Sequence, residues 1–392
     1  MTTVHTDTDV LAKIRELVPE IAQRSGEFES ARVIPCDLVE RIAATGAFRM
    51  FVPRQFGGDE LSLPAAMAVI EEASRADAST GWTIMVAADF APAFARLSEQ
   101  VLTDEVYAAG PDALARGGLA PKGIAVPTDG GYIVKGRWSL ASGSYDCQWV
   151  LGNCLVMENG QPKFTEQGIP EMRFAIVPAD QATFVDTWDA VCLRATCSSD
   201  LIIDDVFVPH KHIGEIFGPA VIDSPLFRLP IRLGLGPTHV GIVLGIAEGA
   251  LDDLRTLAKT KRPALNPSMR LAEDPVFQFR LGQLDTRLAA VRALAERETK
   301  AMWDAAVAGE QISHLTQARQ RAMVAHAHTE CVDIVNEAFG MAGSNAMYCS
   351  STLQRRWRDI RTVAQHVAAN VEIYQLQGAL LAGEDVPPSA FA

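Results

Sequence analysis

In the first third of the chain, apolar residues recur at the three- and four-residue spacing of helices packed on a core. Leu11, Ile14, Leu17, Val18 and Ile21 share one helical face, and Leu38, Ile42 and Ala43 repeat the pattern after Pro35. The loop Val52-Pro53-Arg54-Gln55-Phe56-Gly57-Gly58 interrupts it. An apolar helix is predicted from about Leu63 to Arg75, and Ser79-Thr80-Gly81-Trp82 opens another. From about Ala115 the texture changes. After the turn Pro127-Thr128-Asp129-Gly130-Gly131, segments 132–143, 148–157, 173–179, 182–188 and 201–209 are short and rich in β-branched and aromatic residues. Such a run of short strands predicts a compact antiparallel barrel or sandwich. After about Pro225 the helical period returns. Long amphipathic segments at about 274–308, 311–340 and 353–382 predict a four-helix bundle. Gly241, Gly245 and Gly249 form a stripe suited to close helix–helix packing. The expected architecture is mainly α with a central β-domain: an N-terminal helical domain over 1–114, a β-domain over 115–224, and a helical bundle over 225–392.

The formal charge of −13 argues against a nucleic-acid or anionic-membrane surface. No apolar run reaches the roughly 18 residues that span a bilayer, and the first residues lack a signal-peptide core, so a soluble, cytoplasmic protein is expected. Seven scattered cysteines without a C-x-x-C pair fit a reduced compartment better than a disulfide framework or zinc site. His326 and His328 sit in a helical stretch, where side chains two apart diverge. His210 and His212 at a strand exit lack a third ligand, and solvated loop histidines are the better reading. No metal is expected.

Common cofactor motifs fail. Gly234-Leu235-Gly236-Pro237-Thr238-His239 starts like a dinucleotide fingerprint, but its third glycine is replaced and it lies in an all-helical region. Three constellations remain. If alternation holds, Trp138, Leu140 and Ser142 point to one face of a strand, with Gly143 and Ser144 following, so an indole and a hydroxyl could meet a flat heteroaromatic ring. The alternative is a core tryptophan beside a turn. The polar knot Leu193-Arg194-Ala195-Thr196-Cys197-Ser198-Ser199-Asp200 suits a phosphate or a ring edge, or satisfies itself as a turn. In the predicted helix from Leu353 to Ala368, Arg355, Arg356, Arg358 and Arg361 cluster near Trp357, with Asp359 and His366 seven residues apart. That patch could hold an anionic cofactor tail or form salt bridges, and a lone helical histidine is more often structural.

In order along almost the whole chain, these segments resemble the acyl-CoA dehydrogenase superfamily, and more closely its two-component flavin-dependent monooxygenase branch. The resemblance rests on Ile34-Pro35, the Val52–Gly58 loop, Ala78-Ser79-Thr80-Gly81-Trp82, Gly136–Gly143, the 193–200 knot running into Asp205–Pro209, and Leu353–Ile360 with His366 beyond. It implies a tetramer-forming C-terminal bundle. Acyl-CoA dehydrogenases need a glutamate base, and the two positions that carry it hold Ser350 and Pro263 here, which favours the oxygenase over a dehydrogenase-like oxidoreductase. The branch takes diffusible reduced FAD or FMN from a separate flavin reductase and works with oxygen through a flavin C4a-hydroperoxide. The resemblance makes Ser142 a partner of the flavin near N5 and His366 a catalytic group beside the substrate. Trp138, Ser144, Arg194, Thr196, Ser198 and Arg358 would line the flavin, and Arg262, Phe277 and Gln278 its tail. Trp82 and Phe90 would contact the substrate. Phe90, preceded by Asp89, stands where phenol-hydroxylating relatives often carry histidine, which suits an indole, another heteroaromatic or an amine. Cys197 replaces a common glycine.

Overall fold

The computed structural model describes residues 7–387 and 390, apart from 145, 167 and 265. The N-terminal helices are α1 (Asp7–Ala31), α2 (Cys36–Thr45), α3 (Leu63–Ala76), α4 (Ala78–Phe94) and the single turn α5 (Glu99–Val101). Val10, Ile14, Leu17, Ile21 and Phe28 of α1 are all buried, as a helical stripe facing a core must be. Asp77 caps α4, its carboxylate accepting the Thr80 backbone N–H at 2.9 Å.

The strands are β1 (Ala115–Thr128), β2 (Gly131–Ala141), β3 (Trp149–Glu158), β4 (Gln161–Pro162), β5 (Met172–Pro178), β6 (Thr183–Val185), β7 (Ser199–Pro209) and β8 (Ile213–Gly214). They form one sheet in the order β6-β7-β2-β1-β3-β5-β8, with β4 paired to β3. The sheet is mixed, not purely antiparallel as the strand pattern suggested, because β1 runs parallel to β3. A parallel pair needs a long connection, and here the whole of β2 lies between them.

After the turn α6 (Pro225–Arg228) come α7 (Ile231–Thr260), α8 (Pro275–Ala308) and α9 (His314–Ala342). The predicted fourth helix over 353–382 is instead two short ones, α10 (Thr352–Val363) and α11 (Ile373–Leu381), separated by a 3₁₀ turn at Val367–Ala369. The missing length of the bundle is made up from the other end of the chain, because α3 packs flush on α7. A Cβ at Gly241, Gly245 or Gly249 would run into the backbone oxygens of Met67, Glu71 and Arg75 respectively, so the glycine stripe sets this contact. Arg292 of α8 binds both Glu71 of α3 and Glu248 of α7, at 2.7 and 3.0 Å. Helices from both sides of the sheet thus share one core.

Candidate active site

At its C-terminal end β2 breaks its alternation. Leu140 adopts φ +62°, and the register with β7 shifts between Trp138 and Ala141. Trp138 therefore points into the sheet, where it is 1% exposed, while Leu140 is 62% exposed. The indole lies against Gly118, Gly123, Gly136 and Gly152, each too close to carry a side chain, and its N–H donates to the Asn153 carbonyl at 2.9 Å. This corrects the flavin-stacking expectation: Trp138 is a core residue with no face left for a ligand.

Ser142, two residues beyond the bulge, belongs to a chain of hydroxyls. Its Oγ lies 2.6 Å from Ser198 Oγ, which lies 2.6 Å from Thr196 Oγ1, which donates to the Leu193 carbonyl at 2.9 Å. With the Thr196 proton on the Leu193 carbonyl, Ser198 donates to Thr196 and Ser142 to Ser198, which leaves Ser142 Oγ with lone pairs to accept with. The Leu193 carbonyl also accepts the Trp188 ring N–H and the Thr196 N–H, so the reverse order leaves it satisfied too. The buried Arg116 guanidinium fixes the two backbones that carry the chain, donating to the carbonyls of Ala141 and Cys197.

The rest of the knot is held from within. Arg194 donates to the carbonyls of Glu29 and Ala190, at 3.0 and 2.9 Å, through Nε and Nη1. Cys197 adopts φ +51°, a conformation glycine takes most easily, and its thiol donates to the Arg32 carbonyl. Asp359 reaches across from α10 to accept the Leu193 N–H at 2.7 Å. Burial first, then the nearby Asp77 and Glu29, push its carboxyl up to about 7, against the lowering pull of the Leu193 N–H and Arg358. Ser144 Oγ accepts the Asp146 N–H at 3.4 Å.

The arginine cluster of α10 is likewise engaged. Arg358 binds Glu29 at 2.7 Å and Gln354 at 2.8 Å, Arg356 binds Asp253 at 2.8 Å, and Arg355 donates to Ser25. Arg358 thereby anchors α10 to α1. Arg262 donates to the carbonyls of Pro267 and Ser268, and Gln278 to that of Ala272, so the contacts of both are local to the α7–α8 connection. Phe277 is buried in the core.

α4 packs against the Arg194–Thr196 turn and also carries Trp82. Trp82 makes edge contacts with His239 of α7 and His366, ring centroids 5.6 and 5.8 Å away. The two imidazoles stack on each other at 4.1 Å, and His328 of α9 lies 6.4 Å from His239. His366 is not on the helix of Asp359 as expected. α10 stops at Val363, and His366 takes an extended conformation that caps the next turn, its Nδ1 accepting the Ala368 N–H. The ring proton is therefore on Nε2. Burial, then the nearby His328, pull its pKa down to about 4, so it is a neutral N–H donor at neutral pH. His239 is held well below the usual imidazole range by burial, His366 and His328, and the His239 Nδ1 and His328 Nε2 atoms are buried without partners among the described residues.

Phe90 does not join this group. It stacks on Phe94, with ring centroids 6.0 Å apart, and is 9% exposed in the core. The α4 side chain that shares Trp82's face is Asp89, seven residues on, whose Oδ2 meets Thr238 Oγ1 of α7 at 3.1 Å. Asp89, Thr238, His239 and His328 are not singled out by the sequence pattern as site residues. The spacing of two helical turns from Trp82 is the available signal for Asp89.

A helical frame around a mixed sheet is an acyl-CoA dehydrogenase-type scaffold, and here it brings a hydroxyl chain and a group of neutral imidazoles to α4. The N-terminal domain model of the acyl-CoA dehydrogenases matches residues 7–101, and the C-terminal domain model matches 238–371. The chain is 30% identical over 361 residues to an indole-3-acetate monooxygenase of Acinetobacter baumannii, covering 91% of this chain and 90% of that protein. It is also 30% identical to an FADH(2)-dependent resorcinol hydroxylase, oxygenase component, of a Rhizobium species, covering 87% of this chain and 86% of that protein. Among solved structures, XiaF from Streptomyces in complex with FADH2 and glycerol superposes with a TM-score of 0.88 at 24% identity, over 97% of each chain, and supports the fold. The chain belongs to the acyl-CoA dehydrogenase family, in its branch of flavin-dependent monooxygenases. Among the described residues no helix is long and apolar enough to cross a membrane.

Proposed function

We propose that this chain is the oxygenase component of a two-component system that hydroxylates a small aromatic or heteroaromatic compound, using O2 and reduced FAD or FMN delivered by a flavin reductase. The observation that carries the reading is the hydroxyl chain itself: run toward the Leu193 carbonyl, it leaves Ser142 Oγ an acceptor, which matches the N5–H of a reduced flavin and not the bare N5 of an oxidised one. Bound reduced flavin supplies the electrons that activate dioxygen. Ser142 then holds the ring N–H, with Ser198 and Thr196 fixing its orientation. His366, neutral and carrying its proton on Nε2, donates a hydrogen bond toward the oxygen being transferred or the substrate. Trp82 and the stacked imidazoles keep water from the reacting atoms. Arg262, Phe277 and Gln278 serve the cofactor tail, the assembly is a homotetramer, and the protein works in the cytoplasm.

The test is to mix the protein with reduced FMN or FAD under nitrogen, add oxygen, and measure hydroxylated product per flavin oxidised. Oxygen-dependent turnover should require an added reductase, and the isolated protein should not oxidise NADH. Substantial NADH oxidation without reductase overturns the two-component reading.

A further inference from the structure

The face of α4 that bears Trp82 continues through Val86 to Asp89, and these three are only partly covered, while Ile84, Met85, Ala88 and Phe90 around them are buried. Asp89 is unusual among them. Its Oδ1 is closed to solvent and has no hydrogen-bond partner among the described residues. Buried acceptors are nearly always satisfied, so an orphan beside a substrate site calls for a ligand donor.

The chemistry of that oxygen can be fixed from its neighbours. Thr238 Oγ1 lies 3.1 Å from Asp89 Oδ2 and 2.6 Å from the Leu235 carbonyl, and a hydroxyl has one proton. If Asp89 is ionised, Thr238 donates to Oδ2 and Oδ1 is a bare acceptor. If Asp89 is protonated on Oδ2, Oδ2–H donates to Thr238, Thr238 donates to Leu235, and Oδ1 is again a bare acceptor. Burial pushes the carboxyl well above its ordinary range, with only the Thr238 hydroxyl opposing it and no cation contributing. With the carboxyl ionised, or protonated on Oδ2, Oδ1 calls for a donor; only a proton on Oδ1 itself reverses this. The adjacent surface is flat and aromatic: Thr238 precedes His239, whose ring stacks on His366 and meets Trp82.

We propose that Asp89 is the substrate-recognition group of this site, its Oδ1 accepting the ring N–H of an indole-class heteroaromatic lodged beside Trp82 and the His239–His366 pair. A pyrrole-type N–H has one donor and no in-plane lone pair, so a single acceptor satisfies it completely. A phenolate brings a negative charge to neutral imidazoles and a carboxyl with no cation to receive it. A neutral phenol needs a donor for its own oxygen as well, and with the Thr238 proton already placed it competes with the transferred oxygen for the His366 Nε2 proton. The inference rests on the oxygenase reading above, because it assigns the substrate of that site.

Equilibrium dialysis with indole, benzofuran and phenol tests it, first without flavin and then with reduced flavin under nitrogen. Benzofuran keeps the outline of indole and replaces the N–H by oxygen. Wild type should bind indole tighter than benzofuran by roughly tenfold or more, since a site built around a hydrogen bond rejects the analogue lacking it. Asp89→Asn, which keeps a carbonyl acceptor, should retain most of this preference. Asp89→Leu should lose it while folding normally, because leucine removes an unsatisfied oxygen. Equal binding of indole and benzofuran by wild type, an undiminished preference in Asp89→Leu, or tighter binding of phenol than of indole overturns the assignment. Reduced-flavin affinity and oxygen uptake, measured on the same samples, keep the two readings apart. If these are normal while indole fails, only the role of Asp89 falls; if reduced flavin does not bind, the oxygenase reading falls with it.

Discussion

Ser142 and Ser198 hold their hydroxyl oxygens 2.6 Å apart, and a chain run through Thr196 to Leu193 O makes Ser142 the terminal acceptor. The consequence is a preference for the redox state of flavin that carries N5–H. Ser198→Ala frees the Ser142 hydroxyl to turn and donate, so the ratio of reduced- to oxidised-flavin affinity should fall by roughly tenfold, as for one hydrogen bond gained or lost. Ser142→Ala removes the acceptor itself. It should still bind flavin but release hydrogen peroxide roughly five- to tenfold faster, for a bond worth about 1 kcal/mol. Titrations of both redox states under nitrogen, with peroxide assays, check both variants. An unchanged affinity ratio in Ser198→Ala would show that the chain does not impose its direction.

The same segment shows where sequence reasoning stops. Period-two alternation puts Trp138 and Ser142 on one face, and a non-glycine residue at φ +62°, Leu140, cancels it. Such a bulge leaves no mark in the hydrophobic pattern, because Leu140 is itself apolar. The three histidines come from α7, α9 and the turn after α10, and only packing unites them. Other features are legible. The Gly241, Gly245 and Gly249 stripe announces close packing, since three glycines at four-residue spacing share a face. The order of helices, strands and helices follows from composition alone. The break before His366 is hidden because no proline or glycine marks it. His366 instead opens the next turn, its Nδ1 accepting the Ala368 N–H.

The tautomer of His366 separates two roles. A donor uses Nε2–H, whereas a base needs a free lone pair, and the Nδ1 lone pair is taken by Ala368 N–H. His366→Gln keeps a terminal N–H donor without a titrating group. If His366 acts as a donor, the glutamine variant should retain a substantial share of product per reduced flavin, while His366→Ala loses roughly 10²-fold in oxygen transfer. Wild-type coupling should also show no acid limb near the ordinary imidazole value, because the ring is neutral down to about 4. Equal failure of the glutamine and alanine variants, with both folded, would instead assign the ring to proton abstraction.

Close packing of α3 on α7 gives a stability prediction with an internal control. In helix interiors alanine is favoured over glycine by up to about 1 kcal/mol. At Gly245 the added methyl meets the Glu71 carbonyl, Ser74 Cβ and the Arg75 backbone nitrogen, none of which can swing aside. Overpacking of about 1–3 kcal/mol or more should win, so Gly245→Ala lowers the unfolding free energy. Gly282, on the exposed face of α8, has nothing within 4 Å of the place a Cβ would occupy, and Gly282→Ala should be neutral or stabilising. Denaturant titration of both variants checks the contrast, and a stabilised Gly245→Ala would mean that α3 can move off α7.

Asp359 ties the hydroxyl-bearing knot to α10, and its raised pKa makes that tie pH-dependent. Its carboxyl is pushed up to about 7 from the ordinary 3.8, so the folded state holds a proton that the unfolded chain has released. The stability this proton contributes is fully present below about 3.8 and is lost as pH rises through about 7, at most about 4 kcal/mol over the whole window. Asp359→Asn keeps an oxygen to accept Leu193 N–H and has no proton to lose. Relative to wild type, it should therefore gain stability between about pH 5 and about pH 8.5, with most of the change complete just above 7. Asp77 and Glu29 raise the Asp359 value and Arg358 lowers it, so Arg358→Gln should push the wild-type transition higher. Unfolding free energies of wild type and Asp359→Asn at both pH values decide the matter. A difference that stays constant with pH would mean that Asp359 is ionised throughout, and that the Leu193 N–H and Arg358 outweigh its burial.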